Sequence, residues 1–235
     1  MSVVASTVQQ QQVDAVYRSQ RLRLSAVIAA EVAAAWARSH TDRQATLKQV
    51  IALVTVGQAH TVRLVDAYMA AKAREATGVG SLKHLNPANY TIEALRGISA
   101  DIVYGRPFGA YGAFRNEGAD SARAIEAAQA SVTKLARTDM QLAQTNSARD
   151  WMSQDENVYG WRRVLNGPTN CPLCVAASTR IYYRDDLAPI HENCDCSVEP
   201  LFGKHPGGLS VPADAVRVVE DPELGLRLLA DNWAA

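Results

Sequence analysis

Apolar residues recur at steps of three and four along the first third of the chain, which is the spacing of one face of an α-helix. One run predicts a helix over about residues 9–38; its apolar positions are Val13, Val16, Tyr17, Leu24, Val27, Ile28, Val32 and Ala35. The next run predicts a helix over about 42–77; its apolar positions are Leu47, Val50, Ile51, Val54, Leu64, Val65, Tyr68 and Met69. Thr41 is placed to cap this helix and Gly78 to end it. A short turn between two long helices predicts an antiparallel hairpin.

The middle of the chain is also predicted to be helical. Residues 78–90 are rich in turn-forming side chains, and we place a domain boundary there. Thr91 is the expected N-cap of a helix that extends to about Tyr104. The stretch 105–112 holds glycines and a proline and predicts a turn between helices, and the apolar spacing then predicts another helix over about 118–154.

After residue 157 the pattern changes to short runs of β-branched and aromatic residues. Strands are expected at 158–164, 179–183 and 197–201. The predicted fold class is therefore α+β and predominantly α-helical. It comprises a helical hairpin over 1–80, a helical module over 81–203 that is closed by a small β-sheet, and a flexible tail over 204–235. Leu224, Leu228 and Leu229 allow one short helix in that tail.

Composition narrows the function classes. The chain has 235 residues, of which 48% are apolar and 20% charged, as in a globular protein. Its 24 basic and 24 acidic residues balance, so no overall field draws it to DNA or to a membrane, and a nucleic-acid contact would have to be local. No uninterrupted apolar run approaches the roughly 20 residues of a membrane span, and we expect no membrane partner.

All four cysteines lie in one stretch together with a histidine. Cys171 and Cys174 form a Cys-x-x-Cys pair, and His191-x-x-Cys194-x-Cys196 follows after 16 residues. Structural zinc takes four such ligands in a tetrahedron, commonly two from a tight turn and two from a distant pair. The spacing predicts a structural zinc knuckle with five candidate ligands for four positions. Cys171, Cys174, His191 and Cys194 are the preferred set, and Cys196 is a substitute ligand or a small buried thiol.

Disulfide and redox chemistry are the alternatives for the same cysteines. Residues 1–12 show neither the basic flank nor the apolar core of a signal peptide, so a reducing cytoplasm is expected, where clustered cysteines favour metal over disulfides. A redox Cys-Pro-Leu-Cys motif over 171–174 would need a thioredoxin-like strand before it and a long helix after it, and the flanking sequence does not fit this arrangement.

Several of these motifs together resemble the phage Mu F-type minor head protein family. The resemblance rests on Arg137-Thr138-Asp139 in a helix, Trp161 before the Cys-x-x-Cys pair, and the closing run Pro-Ile-His-Glu-Asn-Cys-Asp-Cys over 189–196. It covers about residues 91–201. The family pattern has Glu where this chain has Asp139, and Arg where it has Asp195, so a basic contact at the second position is not carried over.

The resemblance implies a structural protein of the virion, inside the head or at the portal vertex, that is present in the host cytoplasm during assembly. It implies roles in head assembly and in genome packaging or ejection. The implied partners are the phage portal protein, the major capsid or scaffold proteins, and packaged double-stranded DNA. The hairpin over 1–80 lies outside the motif region and is the candidate portal- or capsid-binding element. Candidate contacts with nucleic acid or a partner are Arg137, Arg162, Arg163 and Arg180.

Metal-dependent enzymes share part of the pattern. In zinc deaminases His-x-Glu precedes Pro-Cys-x-x-Cys, whereas here the cysteine pair comes first and Glu192 is adjacent to His191. A nuclease of the His-Asn-His type could use His191 and Asn193 but requires a second histidine. Some relatives are fused to a capsid maturation protease, and no matching Ser, His and acid set is recognised here. We expect no catalytic residues, and keep these three enzyme classes as alternatives.

Overall fold

The computed structural model describes residues 8–79, 84–166, 172–183, 196–203, 216–221 and 225–230. The helices are α1 (Val8–Ser39), α2 (Arg43–Thr77), α3 (Ile92–Arg96), α4 (Ala100–Asn116), α5 (Ser121–Ser153) and α6 (Pro172–Ser178), and one turn of 3-10 helix spans Pro87–Tyr90. The strands are β1 (Val158–Val164), β2 (Ile181–Tyr183), β3 (Ser197–Phe202), β4 (Val216–Asp221) and β5 (Gly225–Ala230). The prediction of a predominantly helical protein with a small sheet is confirmed.

The N-terminal hairpin forms as the apolar periodicity predicts. Helices α1 and α2 pack along their lengths, and Gly78 ends α2 with a φ of 75°. The N-cap of α2 is Asp42 rather than the predicted Thr41, because a carboxylate oxygen of Asp42 accepts a hydrogen bond from the amide of Ala45 at 3.0 Å. The turn is further tied by Thr46, whose hydroxyl donates to the carbonyl of Ser39.

The main core is shared between the hairpin and the middle of the chain. Buried side chains of α1, α2, α4 and α5 form one cluster, which includes Trp36, Val54, Tyr104 and Val132. A Cβ on Gly57 of α2 would lie only 2.7 Å from the sulfur of Met140 on α5, so the glycine permits a close helix approach. The core therefore does not divide at residue 80, where the sequence predicted a domain boundary.

The region after Thr91 differs from the prediction. Thr91 caps a helix as expected, but α3 ends at Arg96 because Gly97 takes a left-handed conformation with a φ of 68°. Helix α4 then continues through 105–112, where a turn was predicted, with Pro107 inside it. Tertiary packing explains the difference, since Phe108 of α4 lies 5.5 Å from the ring of Trp36 on α1.

The small sheet forms near the predicted strands. Its order is β2-β1-β3 and both pairings are antiparallel. Trp161 of β1 pairs with Tyr182 of β2 and with Pro200 of β3, and its ring stacks on that of Tyr182 at 4.3 Å. Gly160 has no room for a side chain, because a Cβ would collide with the carbonyl oxygen of Tyr182. Trp161 is fully buried in a second core cluster, which the sheet shares with α1, α2 and α5.

The predicted short helix in the tail is wrong. Strands β4 and β5 pair antiparallel, with Val216 opposite Ala230 and Asp221 opposite Gly225. Leu228 and Leu229 lie in β5, whereas Leu224 lies outside the described residues. The β-branched composition of β4 favours a strand over a helix, and a partner strand follows at hairpin distance. At least this part of the tail therefore has regular structure.

Among the described residues, α2 is the one helix that is long and apolar enough to cross a membrane by length and composition. It also contacts α1, α4, α5 and the 3-10 turn, and carries the buried Lys72. These contacts are typical of the central helix of a packed core.

Candidate functional site

Two of the five predicted metal ligands come together in the structure. Cys174 on α6 and Cys196, which directly precedes β3, are both buried and pack against each other, with Leu165 beside them. The amide of Gln144 on α5 donates to the carbonyl oxygen of Cys196 at 3.4 Å, which ties this corner to the long helix. The cysteine pair is therefore where α6, the sheet and α5 meet.

The remaining predicted ligands, Cys171, His191 and Cys194, lie outside the described residues. Within the part of the chain that is described, no group of three or more candidate metal-binding side chains occurs. Two neighbouring buried thiols are half of a tetrahedral zinc set. The zinc knuckle stays a prediction, with Cys174 and Cys196 as its described part.

The acidic residue of the Arg-Thr-Asp motif is buried and hydrogen-bonded to two other helices. The Asp139 side chain is 0% exposed and accepts hydrogen bonds from Nε of Arg96 at 2.5 Å and from the hydroxyl of Tyr104 at 2.6 Å. Burial raises the pKa of Asp139, although Tyr104 and Arg96 act in the opposite direction. Burial and the adjacent Asp139 also raise the pKa of Tyr104. The motif thus fastens α3 and α4 to α5.

The four arginines predicted as candidate contacts have different environments. Arg137 is exposed on α5, and Arg180 is half-buried. Arg162 is half-exposed and its Nε donates to Glu199 at 2.6 Å. Arg163 is buried, and its role as a contact stays a prediction. The four arginines therefore differ in exposure, from the exposed Arg137 to the buried Arg163.

A cluster of ionic side chains joins the hairpin to the sheet. Lys72 of α2 donates to Asp14 of α1 at 3.2 Å and to Glu199 of β3 at 2.9 Å. The hydroxyl of Tyr68 donates to the same carboxylate of Asp14 at 3.0 Å, and Arg162 of β1 completes the cluster through Glu199. We call these five residues the hairpin–sheet cluster.

Burial and ion pairing compete within the hairpin–sheet cluster. Burial opposes the charge of Glu199, but hydrogen bonds and attraction from Arg162 and Lys72 outweigh it and lower the pKa of Glu199. Burial likewise opposes the charge of Lys72, and its contacts with Glu199 and Asp14 raise its pKa overall. Both groups are therefore ionised at neutral pH.

Sequence reasoning missed this cluster. Lys72 and Glu199 are separated by 127 positions, and Lys72 and Asp14 by 58. Charged residues on helices are ordinarily solvated, and no local spacing identifies a pair between distant elements. The one available signal was Lys72 itself, a charged residue inside the apolar stripe of α2.

A polar cavity of about 340 Å³ opens beside the hairpin–sheet cluster. Its walls come from α1, α2, β1, β3 and the end of α6. Arg163, Asn166 and Ser197 line it, and the amide of Asn166 donates to the hydroxyl of Ser197 at 2.6 Å. This cavity lies next to the cysteine pair, because Ser197 follows Cys196 directly.

Comparison with known proteins identifies one family. A family model described as VG15 protein matches residues 7–215, which includes the hairpin, the middle helices and the cysteine stretch. No curated protein and no solved structure matches the chain significantly. Because the match covers well over half of the sequence, the chain belongs to the VG15 protein family, which is a family of viral proteins.

Proposed function

We propose that this chain is a structural minor head protein of a tailed bacteriophage that acts at the portal vertex. It would act in head assembly and in genome packaging or ejection. It would be located in the virion and, during assembly, in the host cytoplasm. Membership of a viral protein family supports the general class. The resemblance of residues 91–201 to Mu F-type proteins supports the finer role.

The observation that carries this proposal is the burial of the shared motif residues. Asp139 holds three helices together, Trp161 is buried between the sheet and the helices, and Cys174 packs against Cys196. Catalytic groups have to reach a substrate, whereas these side chains contact other parts of the same chain. They support a role in keeping the shape of a head protein, and we propose no catalytic reaction for it.

A structural zinc ion is part of the proposal. Cys174 and Cys196 would supply two ligands, and Cys171 with either His191 or Cys194 would complete the set. The packing of Cys174 against Cys196 supports Cys196 as a ligand rather than as a substitute. Zinc binding of this kind contributes on the order of 10 kcal/mol of apparent free energy in small domains. The bound metal would fix α6 and the start of β3 to each other.

The helical hairpin is the proposed contact with the portal protein. Its helices expose Val16 and Val27 on α1 and Val56 on α2, each about half accessible to solvent. Exposed apolar residues of this kind are more favourable when a partner covers them. Capsid or scaffold proteins and packaged DNA are further proposed partners, and the exposed Arg137 is the candidate for a DNA contact.

Co-expression with the portal protein of the same phage tests this role. We expect the chain to co-purify with the portal protein, and Val27→Asp to reduce the recovered fraction without changing the helical circular dichroism. Ile102→Asp, which changes an exposed apolar residue on α4 instead, is the matched control and should retain binding. Failure of the unmodified chain to co-purify would count against a portal-associated role.

A further inference from the structure

Arg163 is a buried cation without a counter-charge in the described structure. The residue is only 6% exposed, and its Nε lacks a hydrogen-bond partner among the residues described. The ion pairs found within the described ranges do not include it. Burying an unpaired charge is unfavourable, so such a group is retained where a ligand or a partner supplies the missing charge.

The surroundings of Arg163 form a preorganised cavity. It lines the polar cavity of about 340 Å³ together with Arg18, Arg162 and Asn166. The Oδ1 atom of Asn166 is also buried and unsatisfied within the described part of the chain, while its amide nitrogen is fixed on Ser197. Both side chains are thus held in position, and Arg163 is the one of the two that can donate a hydrogen bond to an anion, because Oδ1 of Asn166 can only accept.

The resident carboxylates do not neutralise this site. Asp14 and Glu199 line the same cavity, but Asp14 is engaged by Lys72 and Tyr68, and Glu199 by Lys72 and Arg162. In the described residues neither of them pairs with Arg163. Arg163 thus contributes positive charge that these two carboxylates leave uncompensated.

We propose that this cavity binds the carboxylate of an acidic side chain that a partner protein presents. Guanidinium groups bind carboxylates through charge-assisted and often paired hydrogen bonds, so Arg163 is the expected anchor and the exposed Arg18 the expected outer contact. The proposal depends neither on the zinc ion nor on the identity of the portal as the partner.

A carboxylate suits the cavity better than other anions. Asp14 and Glu199 would repel a phosphate dianion more strongly than a carboxylate monoanion. The backbone of duplex DNA lies on a convex surface, and Arg163 is enclosed in a concave one. A glutamate side chain is narrow and long enough to enter, which makes an acidic protein segment the favoured source.

Glutarate, a mimic of the glutamate side chain, is the probe that tests this site. We expect glutarate to raise the melting temperature of the full-length chain saturably at constant ionic strength. Arg163→Met should abolish the rise, and Arg18→Gln, at an exposed position, should weaken it. Arg123→Met on α5 is the control and should leave the rise unchanged. Without glutarate, Arg163→Met should melt at the same temperature as the wild type or higher, because an uncompensated buried charge has been removed.

Three results would overturn the assignment. An equal effect of glutarate on the wild type and on Arg163→Met would show that Arg163 is not the anchor. A strong drop in melting temperature for Arg163→Met, with no glutarate effect on the wild type, would show that another group of the same chain already pairs with Arg163. A larger effect of inorganic phosphate or of a short DNA duplex than of glutarate would replace the carboxylate with a phosphate ligand.

Discussion

Nζ of Lys72 on α2 lies 2.9 Å from Oε1 of Glu199 on β3, so one ion pair connects the N-terminal hairpin to the C-terminal sheet. The two side chains are 8% and 11% exposed, respectively. Such a pair is weakly screened by solvent, and it places the sheet that carries Cys196 in a fixed position against the hairpin. The hairpin and the cysteine corner are therefore parts of one packed structure.

Removing one partner of this pair should destabilise the protein strongly. Lys72→Met leaves Glu199 with Arg162 alone and leaves Asp14 with Tyr68, and we expect a loss of about 3 kcal/mol in the free energy of unfolding. Urea unfolding followed by circular dichroism measures it. Lys72→Met combined with Glu199→Leu should cost less than Lys72→Met alone, because it leaves no unpaired carboxylate at position 199. If the double variant is less stable than Lys72→Met alone, an unpaired carboxylate at position 199 is not the cause of the loss.

The lowered pKa of Glu199 predicts a specific acid dependence. Its pKa is below the ordinary value of 4.5 in the folded protein because Arg162 and Lys72 outweigh the effect of burial. The ionised form therefore stabilises the fold above the unfolded pKa, and this contribution is lost as pH falls through the folded pKa. The difference in unfolding free energy between the wild type and Glu199→Gln should shrink as pH falls from about 6 through that range. A difference that stays constant on acidification would contradict the pairing.

Asp139 provides a test of the structural interpretation of the Arg-Thr-Asp motif. Arg96→Met removes the cation that faces this fully buried carboxylate, and we expect a loss of about 3 kcal/mol in the free energy of unfolding. Arg137→Met, in the same motif but exposed, should change it by less than about 0.5 kcal/mol. Chemical denaturation of the two variants side by side measures both effects. Similar values for the two would show that Asp139 does not depend on Arg96.

Two glycines inside helices should respond oppositely to alanine. Gly57→Ala places a methyl group 2.7 Å from the sulfur of Met140 and 2.9 Å from Ile28, and we expect a loss of about 1–3 kcal/mol. Gly109→Ala meets nothing within 4 Å and should gain up to about 1 kcal/mol from helix propensity. Thermal unfolding of both variants compares them. A stabilising Gly57→Ala would mean that α1, α2 and α5 separate easily at this point.

Loss of a cysteine ligand should remove zinc and loosen the cysteine corner. Cys174→Ser and Cys196→Ser are each expected to lower the zinc content of the purified protein and to speed proteolysis between β1 and β3. Elemental analysis and limited proteolysis measure the two effects. Val175→Ser, exposed and adjacent on α6, is the matched control and should keep both properties. An unchanged zinc content in Cys196→Ser would show that Cys196 is a buried thiol and not a zinc ligand.

Much of the helical fold could be predicted because it depends on local periodicity. The stripes of Val50, Val54 and Val65 on α2 and of Ile28 and Val32 on α1 place their helices within a few residues. Helix α4 could not be predicted in the same way, because its glycines and Pro107 are ordinary turn residues. Contacts of α4 with α5 and α2 and with the ring of Trp36 on α1 maintain the helix, and such contacts are not visible in the sequence.

Some residues of the candidate sites could be identified from the sequence, and others could not. The cysteines could be identified from their spacing alone, and the burial of Cys174 beside Cys196 agrees with a shared role. The environment of Arg163 could not be identified, because it depends on how β1 lies against α1 and β3. The same applies to Glu199, whose partners come from two other elements.

The most direct test of the central claim is quantitative mass spectrometry of purified virions and DNA-free proheads of the phage that encodes this chain. A minor head protein at the portal vertex is expected in both particles, at a few copies per portal ring and far below the major capsid protein. Absence of the chain from both particles would contradict the proposed function.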